Sequence, residues 1–411
     1  MKDSPQVPKG YKQTEVGVIP ADWDVMPLGR FLALRRGHDL TERNRRRGDV
    51  PVMGSAGLSG FHDTSLARGP GVVLGRSGAS FGQAHYCRED FWPHNTALYV
   101  TDFFGNHPLF SFFFLRSIDF TRHNSGGAQQ SLNRNFIAPI LVAIPRRLEQ
   151  EAIAEALSDA EAFIESLEQL LAKKCQVKQG AMQELLTGKK RLPGYGGGAT
   201  SSRVTKFGPV PSDWVSTPLQ AVAAFITKGS TPTTYGFDWQ SDGVLFLRSE
   251  CVSEHGLDLS QSMFVADAAH QSLRRSEVRS GDILMTITGN VGRVIHLAAG
   301  FGEANINQHI ARIRIINDGV SDRFAFHFLS QPVVRHYYNL ITTGLAYPQI
   351  SLTQVRDTEL PLPSFAEQTA IAAILSDMDT EITALEGKLA KARHLKQGMM
   401  QELLTGRTRL V

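Results

Sequence analysis

Two stretches decide how this chain is built: EQEAIAEALSD…KQGAMQELLTG (Glu149 to Gly188) and EQTAIAAILSD…KQGMMQELLTG (Glu367 to Gly406). Laid over each other at an offset of 218, they agree at 24 of 40 positions, which marks a duplication. Apolar residues recur in alternating steps of four and three in both copies. The stripe runs through Ile153, Leu157, Ile164, Leu167, Leu171 and Leu185 in the first copy, and through Ile371, Leu375, Ile382, Leu385, Leu389 and Leu403 in the second. That is a heptad repeat, and Gly188 and Gly406 stand where a helix C-cap belongs. A helix of ~36 residues is roughly 54 Å long, more than a small domain can cover, so each stripe needs a partner. The two helices are expected to run antiparallel along a common seam. The competing arrangement, each helix buried on its own globular domain, suits so long and narrow a stripe less well.

Working outward, a second repeat opens each half. TEVGVIPADWDVMPL (Thr14 to Leu28) returns as TKFGPVPSDWVSTPL (Thr205 to Leu219), at an offset of 191. Because the two offsets differ by 218 − 191 = 27, each copy is a fixed frame around an insert of its own length. The first insert offers strands in VPVM, GVVLG and TALYVT and a helix in LFSFFFLRSID. The second offers VLFLRS, GDILMTITG and HIARIRII, then a single helix-like run RFAFHFLSQPVVRHYYNL. The expected fold is α+β: two mixed α/β domains separated by an antiparallel two-helix coiled coil, as a pseudo-two-fold tandem repeat. The segments are 1–147, helix 148–192, a Gly/Ser/Pro-containing linker 193–204, 205–365, and helix 366–411. TGRTRL at the C-terminus should return to the N-terminal frame as TGKKRL precedes the second frame, which makes the fold pseudo-circular.

Composition narrows the class. The 411 residues carry 43 Lys+Arg against 40 Asp+Glu, so any basic site must be local. Cys87, Cys175 and Cys251 have neither disulfide nor zinc spacing, which fits a reducing cytoplasm and no metal. No apolar run reaches membrane-spanning length, and the N-terminus has no signal-peptide core.

Catalytic motifs are weak. GASFG around Ser80 matches a nucleophile elbow, but its counterpart TGNVGR has no serine between its glycines, so a turn reads better. GYGGGA follows a helix and lies in the linker, the wrong context for a dinucleotide loop. No phosphate loop, HExxH or methyltransferase tetrapeptide is present, so no catalytic residue is assigned.

What remains suits recognition. Arg43, Arg45, Arg46 and Arg47 crowd one loop, and guanidinium forks grip phosphates or guanine edges. The glycine turns GRSGASFG and TITGNVGR present Arg76, Ser77, Asn290 and Arg293, and Arg248 lies in the expected strand VLFLRS. NSGGAQQSLN and TTGLAYPQIS occupy equivalent places and hold Gln129, Gln130 and Asn133, followed by Arg134, and Tyr347 and Gln349. Their amides can pair with adenine edges. The first insert, Asp24 to Ile140, has 13 Arg and 9 acids; the second, Val215 to Leu360, has 11 bases and 13 acids.

Taken together, GVIPADW and GPVPSDW, LEQEAIAEALSD and AEQTAIAAILSD, and the two QELLTG endings resemble the DNA-specificity (S) subunit of type I restriction-modification systems over nearly the whole chain. The resemblance implies a noncatalytic, cytoplasmic adaptor that binds double-stranded DNA at a bipartite site, one domain per half-site. Its implied partners are two modification subunits, which use S-adenosylmethionine to methylate adenine, and restriction/translocase subunits, which use ATP and Mg; this chain itself would hold no cofactor. The alternative from another class is a stand-alone hydrolase or transferase with its site in one insert.

Overall fold

The computed structural model describes residues 7–123, 131–196, 201–344 and 346–410. The chain divides into two compact units, Met1–Gln169 with Glu386–Val411, and Leu170–Leu385. The first unit is built on an antiparallel sheet of β1 (Ala33–Arg36), β2 (Gly71–Gly75), β3 (Ala84–Cys87) and β4 (Ala97–Asp102), in the order β1-β4-β2-β3. Strand β2 is interior and every one of its residues is buried, which is why it reads as an unbroken apolar run. Val72 and Leu74 enter the main core with Trp23, Phe31, Phe110 and Phe113 from helix α1 (Pro108–Ser117) and the frame. Val73 turns to a smaller cluster with Met53, Phe91 and Tyr99. That cluster lies beneath a second sheet, in which Val50–Gly54 pairs with Gly57–His62 and, in parallel, with Trp92–Pro93. Helix α2 (Arg147–Leu185) follows.

The second unit repeats this path. Strands β5 (Ala223–Lys228), β6 (Ile283–Thr286), β7 (Val294–His296) and β8 (Ile310–Ile315) take the order β5-β8-β6-β7. Its second sheet keeps the parallel pair, here Val244–Leu247 with Ala304–Ile306, and adds Met263–Val265 and Glu277–Val278 at the sides. Those strands come from the stretch between Leu247 and Ile283, where the longer insert spends much of its extra length. The run RFAFHFLSQPVVRHYYNL, expected as one helix, is two: α3 (Asp322–Leu329) and α4 (Pro332–Leu340). Pro332 supplies no N–H and holds Gln331 in an extended conformation, φ −63° and ψ 142°, so the first helix must stop and a new one starts with Pro in its first turn. Helix α5 (Phe365–Leu403) closes the chain's elements.

The long helices serve each unit in the same way. In the first unit, the N-terminal half of α2 lies antiparallel to the C-terminal half of α5, with Glu168 bonded to Arg393 at 2.6 Å and Glu161 to Lys396. In the second, the other halves pair, with Lys174 bonded to Glu381 at 2.6 Å and Lys178 to Asp379. The heptad stripe meets two environments. Ile153, Leu157 and Leu403 are part of the first unit's core, and Leu185, Ile371 and Leu375 of the second's. Farther along the helices, the first unit buries Leu167 and Leu389 and half-buries Ile164, and the second half-buries Leu171, Ile382 and Leu385, as a seam of only two helices leaves them.

Each helix end is locked to a frame by one arginine. After α5, Gly406 takes φ +71° where an added Cβ would strike Pro20 at 2.5 Å, and Arg409 then reaches Glu149 at 2.5 and 2.9 Å and Asp22 at 2.9 Å. After α2, Gly188 (φ +65°) meets Pro211 likewise, and Arg191 reaches Glu367 at 2.7 Å and Asp213 at 3.0 Å. The neighbouring Gln150 and Gln368 are buried, and each accepts the N–H of the residue that caps the peripheral helix, His107 or Ser321. Charge-assisted pairing with Arg409 holds the Asp22 carboxyl below the ordinary range. The repeated letters Asp-Trp, Glu-Gln and Thr-Gly-x-x-Arg are therefore one joint, made twice. The copies differ at the tryptophan: Trp23 donates its indole N–H to Glu149 at 2.8 Å, whereas the Trp214 N–H has no acceptor among the described residues and its ring instead lies under the Arg191 guanidinium at 5.7 Å.

Candidate nucleic-acid interface

In both units the interior strand of the main sheet runs out into a glycine turn before the chain returns as the edge strand. After β2, Gly78 and Gly82 take φ of +75° and +73°; after β6, Gly289 and Gly292 take +76° and +80°. These left-handed positions let seven or eight residues reverse direction tightly, and glycine adopts them without the steric cost another residue meets. Ser80 sits in the 3-10 turn Gly78–Ser80 of this strand-to-strand reversal, so it lacks the strand-to-helix elbow that a nucleophile needs.

The turn is stitched to the loop that precedes the return to the frame. In the first unit Ser77 bridges Ser131, and the Leu132 N–H donates to the Arg76 carbonyl at 2.8 Å. In the second, Thr288 bridges Gln349, and the Ile350 N–H donates to the Ile287 carbonyl at 3.0 Å. The structure thus brings Arg76 and Ser77 beside Asn133 and Arg134, and Asn290 beside Tyr347 and Gln349. Gln129 and Gln130 lie outside the described residues.

The exposed groups differ between the copies. Arg134, Asn290 and Gln349 are exposed, and Tyr347 is 61% exposed with its ring 6.1 Å from His309. Asn133 caps the next short helix by accepting the Asn135 N–H at 3.0 Å, which leaves its amide hydrogens for a ligand. Arg293 is half-buried and its Nε has no acceptor among the described residues, while Arg248 is engaged with Glu250 at 3.1 Å.

The arginine-rich loop is placed elsewhere. Arg46 pairs with Asp63 at 2.6 Å and holds its carboxyl at about 2, and Arg45 donates to the Ser59 carbonyl at 2.9 Å. Arg43 and Arg47 are exposed. This cluster borders the open end of the Val50–Gly54/Gly57–His62 hairpin, while the hairpin's turn touches the other group through the Ser55 hydroxyl, 2.8 Å from the Ser77 carbonyl. Five strand steps separate the two ends, about 17 Å.

Sequence reasoning missed Arg36, whose Nε reaches the Asn95 carbonyl at 3.4 Å, the atom that Arg76 also reaches at 3.4 Å. It also missed Gln308, which accepts from the Thr231 hydroxyl at 2.5 Å next to His309, whose ring lies 6.1 Å from that of Tyr347. No local motif marks these residues; the Lys-free arginine excess of the first insert was the only hint. Among the described residues no group of three or more His, Cys, Asp or Glu could hold a metal, and no helix is long and apolar enough to cross a membrane.

Comparison with known proteins bears on this architecture directly. The family described as "Type I restriction modification DNA specificity domain" matches residues 20–173 and again 211–393, so both copies are recognised separately. A Methanocaldococcus jannaschii chain provisionally named the specificity subunit of type I restriction enzyme MjaX is 21% identical over 98% of this chain and 97% of its own length. The specificity subunit of type I restriction enzyme EcoBI from Escherichia coli is 24% identical over 67% of this chain and 60% of its own. Among solved structures, the S subunit of a type I restriction-modification system from M. genitalium shares the fold with a TM-score of 0.62, 13% identity, and coverage of 93% of this chain and 96% of that one. A chain from a structural study of complex assembly and conformational transition in the type I R-M system shares it at a TM-score of 0.53, 15% identity, and coverage of 95% and 99%. With two matches that together span most of its length, the chain belongs to the type I restriction-modification DNA specificity family.

Proposed function

We propose that this chain is the noncatalytic reader of a cytoplasmic type I complex, binding duplex DNA at a bipartite site with one unit per half-site. One observation carries the reading. The two units share strand order, glycine turn and loop stitching, yet they present different side chains at that common place: Asn133 and Arg134 in one, Asn290, Tyr347 and Gln349 in the other. A constant backbone offering variable polar groups is what reading two unrelated short sequences requires. The paired long helices supply the surface on which two modification subunits dock. Adenine methylation with S-adenosylmethionine is then the partners' chemistry, and ATP- and Mg-dependent translocation that of restriction subunits.

The test is to map methylated adenines in DNA from cells carrying the complex, exchanging each insert in turn. Each exchange should alter one half of the methylated motif and leave the other intact. Methyl transfer or hydrolysis by the purified chain alone, lost in Ser80→Ala, would support a stand-alone enzyme instead.

A further inference from the structure

In the first unit, three loops converge on one carbonyl oxygen. Arg36 ends the edge strand β1, Arg76 follows β2, and Asn95 precedes β4, which lies between them in the sheet. Both guanidiniums approach the Asn95 carbonyl at 3.4 Å, a long contact for each. The loop that offers the carbonyl is fixed. Asn95 and His38 are tied by the Asn95 N–H to the His38 carbonyl at 3.0 Å and the His38 N–H to the Pro93 carbonyl at 2.7 Å. A Cβ at Gly37 would lie 2.2 Å from the His94 carbonyl oxygen, so the backbones can approach this closely only with glycine there.

Neither arginine has a carboxylate partner among the described residues, although several others of this unit do: Arg46 with Asp63, Arg116 with Glu161, Arg147 with Glu151, and Arg409 with Asp22 and Glu149. Two cations held against one neutral acceptor repel each other. Arg76 shows it: burial, then the charge of Arg36, favours loss of its proton. The nearby Asp39 carboxylate is taken up by the Asn95 side-chain amide and pairs with neither arginine, so an anion from outside is what would offset their repulsion. Arg134 is exposed two residues beyond Leu132, which bonds the Arg76 carbonyl, and it adds a third cation to this loop pair. The second unit, with the same backbone ladder, has Lys228 in the register of Arg36 and the 4%-exposed Ile287 in that of Arg76.

We propose that Arg36 and Arg76 form a two-armed clamp for a backbone phosphate of DNA bound to the first unit, a contact the second unit lacks. A phosphodiester offers two unbridged oxygens to two converging guanidiniums, whereas a guanine edge is filled by one bidentate arginine. The clamp therefore positions the duplex and carries no sequence information itself.

This inference rests on the DNA-reading function proposed above, and the experiment separates the two. The assembled complex is titrated with duplexes bearing its methylated motif or a motif altered in either half, over a range of salt. Arg36→Gln and Arg76→Gln are each compared with the unsubstituted complex, with thermal midpoints measured alongside. Each variant should lose about tenfold in affinity equally on all duplexes, and the slope of log K against log salt should fall by about 1. Arg36→Lys and Arg76→Lys, which keep the charge, should restore the slope. An unchanged affinity and slope in both Gln variants overturns the clamp. So does a loss confined to one base position, which would make the pair a base reader, or a slope that stays low in the Lys variants, which would reduce the guanidiniums to packing. If the unsubstituted complex neither methylates nor binds DNA, it is the underlying reading that fails.

Discussion

At the scale of single residues, the joint between helix end and frame concentrates the most energy on one side chain. Glu149 is 2% exposed and its charge is met by Arg409 and by the Trp23 indole. Removing the guanidinium strands a buried carboxylate, so Arg409→Ala should lower stability by on the order of 3 kcal/mol, read as the denaturant midpoint of the full chain. Arg409→Lys should recover only part, since an ammonium cannot span Asp22 and Glu149 in a fork. A second residue is set against acid. His327 is buried under α5, with its Nε2 3.1 Å from the Ser376 hydroxyl, and burial, reinforced by Lys178, pushes its imidazole down to about 3. The unfolded chain takes up that proton near pH 6.5 and the folded chain does not, so stability falls as pH drops through the window from about 6.5 to 3, by up to about 1.4 kcal/mol per pH unit. Phe113 holds the equivalent place in the first unit, counting from the helix caps His107 and Ser321, which makes His327→Phe a variant the fold already tolerates once. Its midpoint should change less between pH 7.5 and 5 than that of the unsubstituted chain; equal changes would remove His327 from the account. Neither role was visible in the letters. The duplication showed that Asp, Trp, Glu and Arg recur, but recurrence does not say which of them touch, because the four lie up to 387 residues apart in sequence.

At the scale of elements, the helices were legible because periodicity survives any tertiary context, and the caps because glycine alone tolerates the φ that ends them. Lys178 and Lys396 fall in the phase of the heptad stripe, seven residues from a stripe leucine on either side, and the letters do not say what they pair with. Each meets an acid from the opposing helix, Asp379 or Glu161, and Lys396 lies 5.8 Å from the Phe113 ring as Lys178 lies near His327. A charged residue at a seam position costs stability and fixes register, since any slip separates it from its partner. Lys178→Asp should accordingly lower stability by about 2 kcal/mol, and the swap Lys178→Asp with Asp379→Lys should recover more than half of it, measured as a double-mutant cycle by denaturant unfolding. Additive losses would show that the pair is incidental. The break of the expected long helix at Gln331 was also available in advance, from Pro332; apolar residues on both sides of the proline masked it.

At the scale of the whole molecule, the duplicated frame predicted the duplicated fold, while the inserts kept their binding groups hidden. The turn and its partner loop lie about fifty residues apart in one copy and sixty in the other, and what they expose depends on the two ladders that join them. Charge, however, is additive and can be read before any contact is known. The first insert is arginine-rich and net +4, and among the described residues no carboxylate pairs with its Arg36 or Arg76; the second is net −2, with Arg248, Arg314 and Arg335 already paired to carboxylates. If the two units read separate half-sites, counterion release must come unequally from them. A duplex that keeps only the half-site of the first unit should bind the assembled complex with a steeper dependence on salt than one that keeps only the other, by about one unit of slope for each additional phosphate engaged. Half-sites can be assigned to units by the insert exchange, so the comparison needs no knowledge of the bases. Equal slopes would mean that the second unit hides a basic face within its acidic sum, and the affinity of the complex would then rest evenly on both halves.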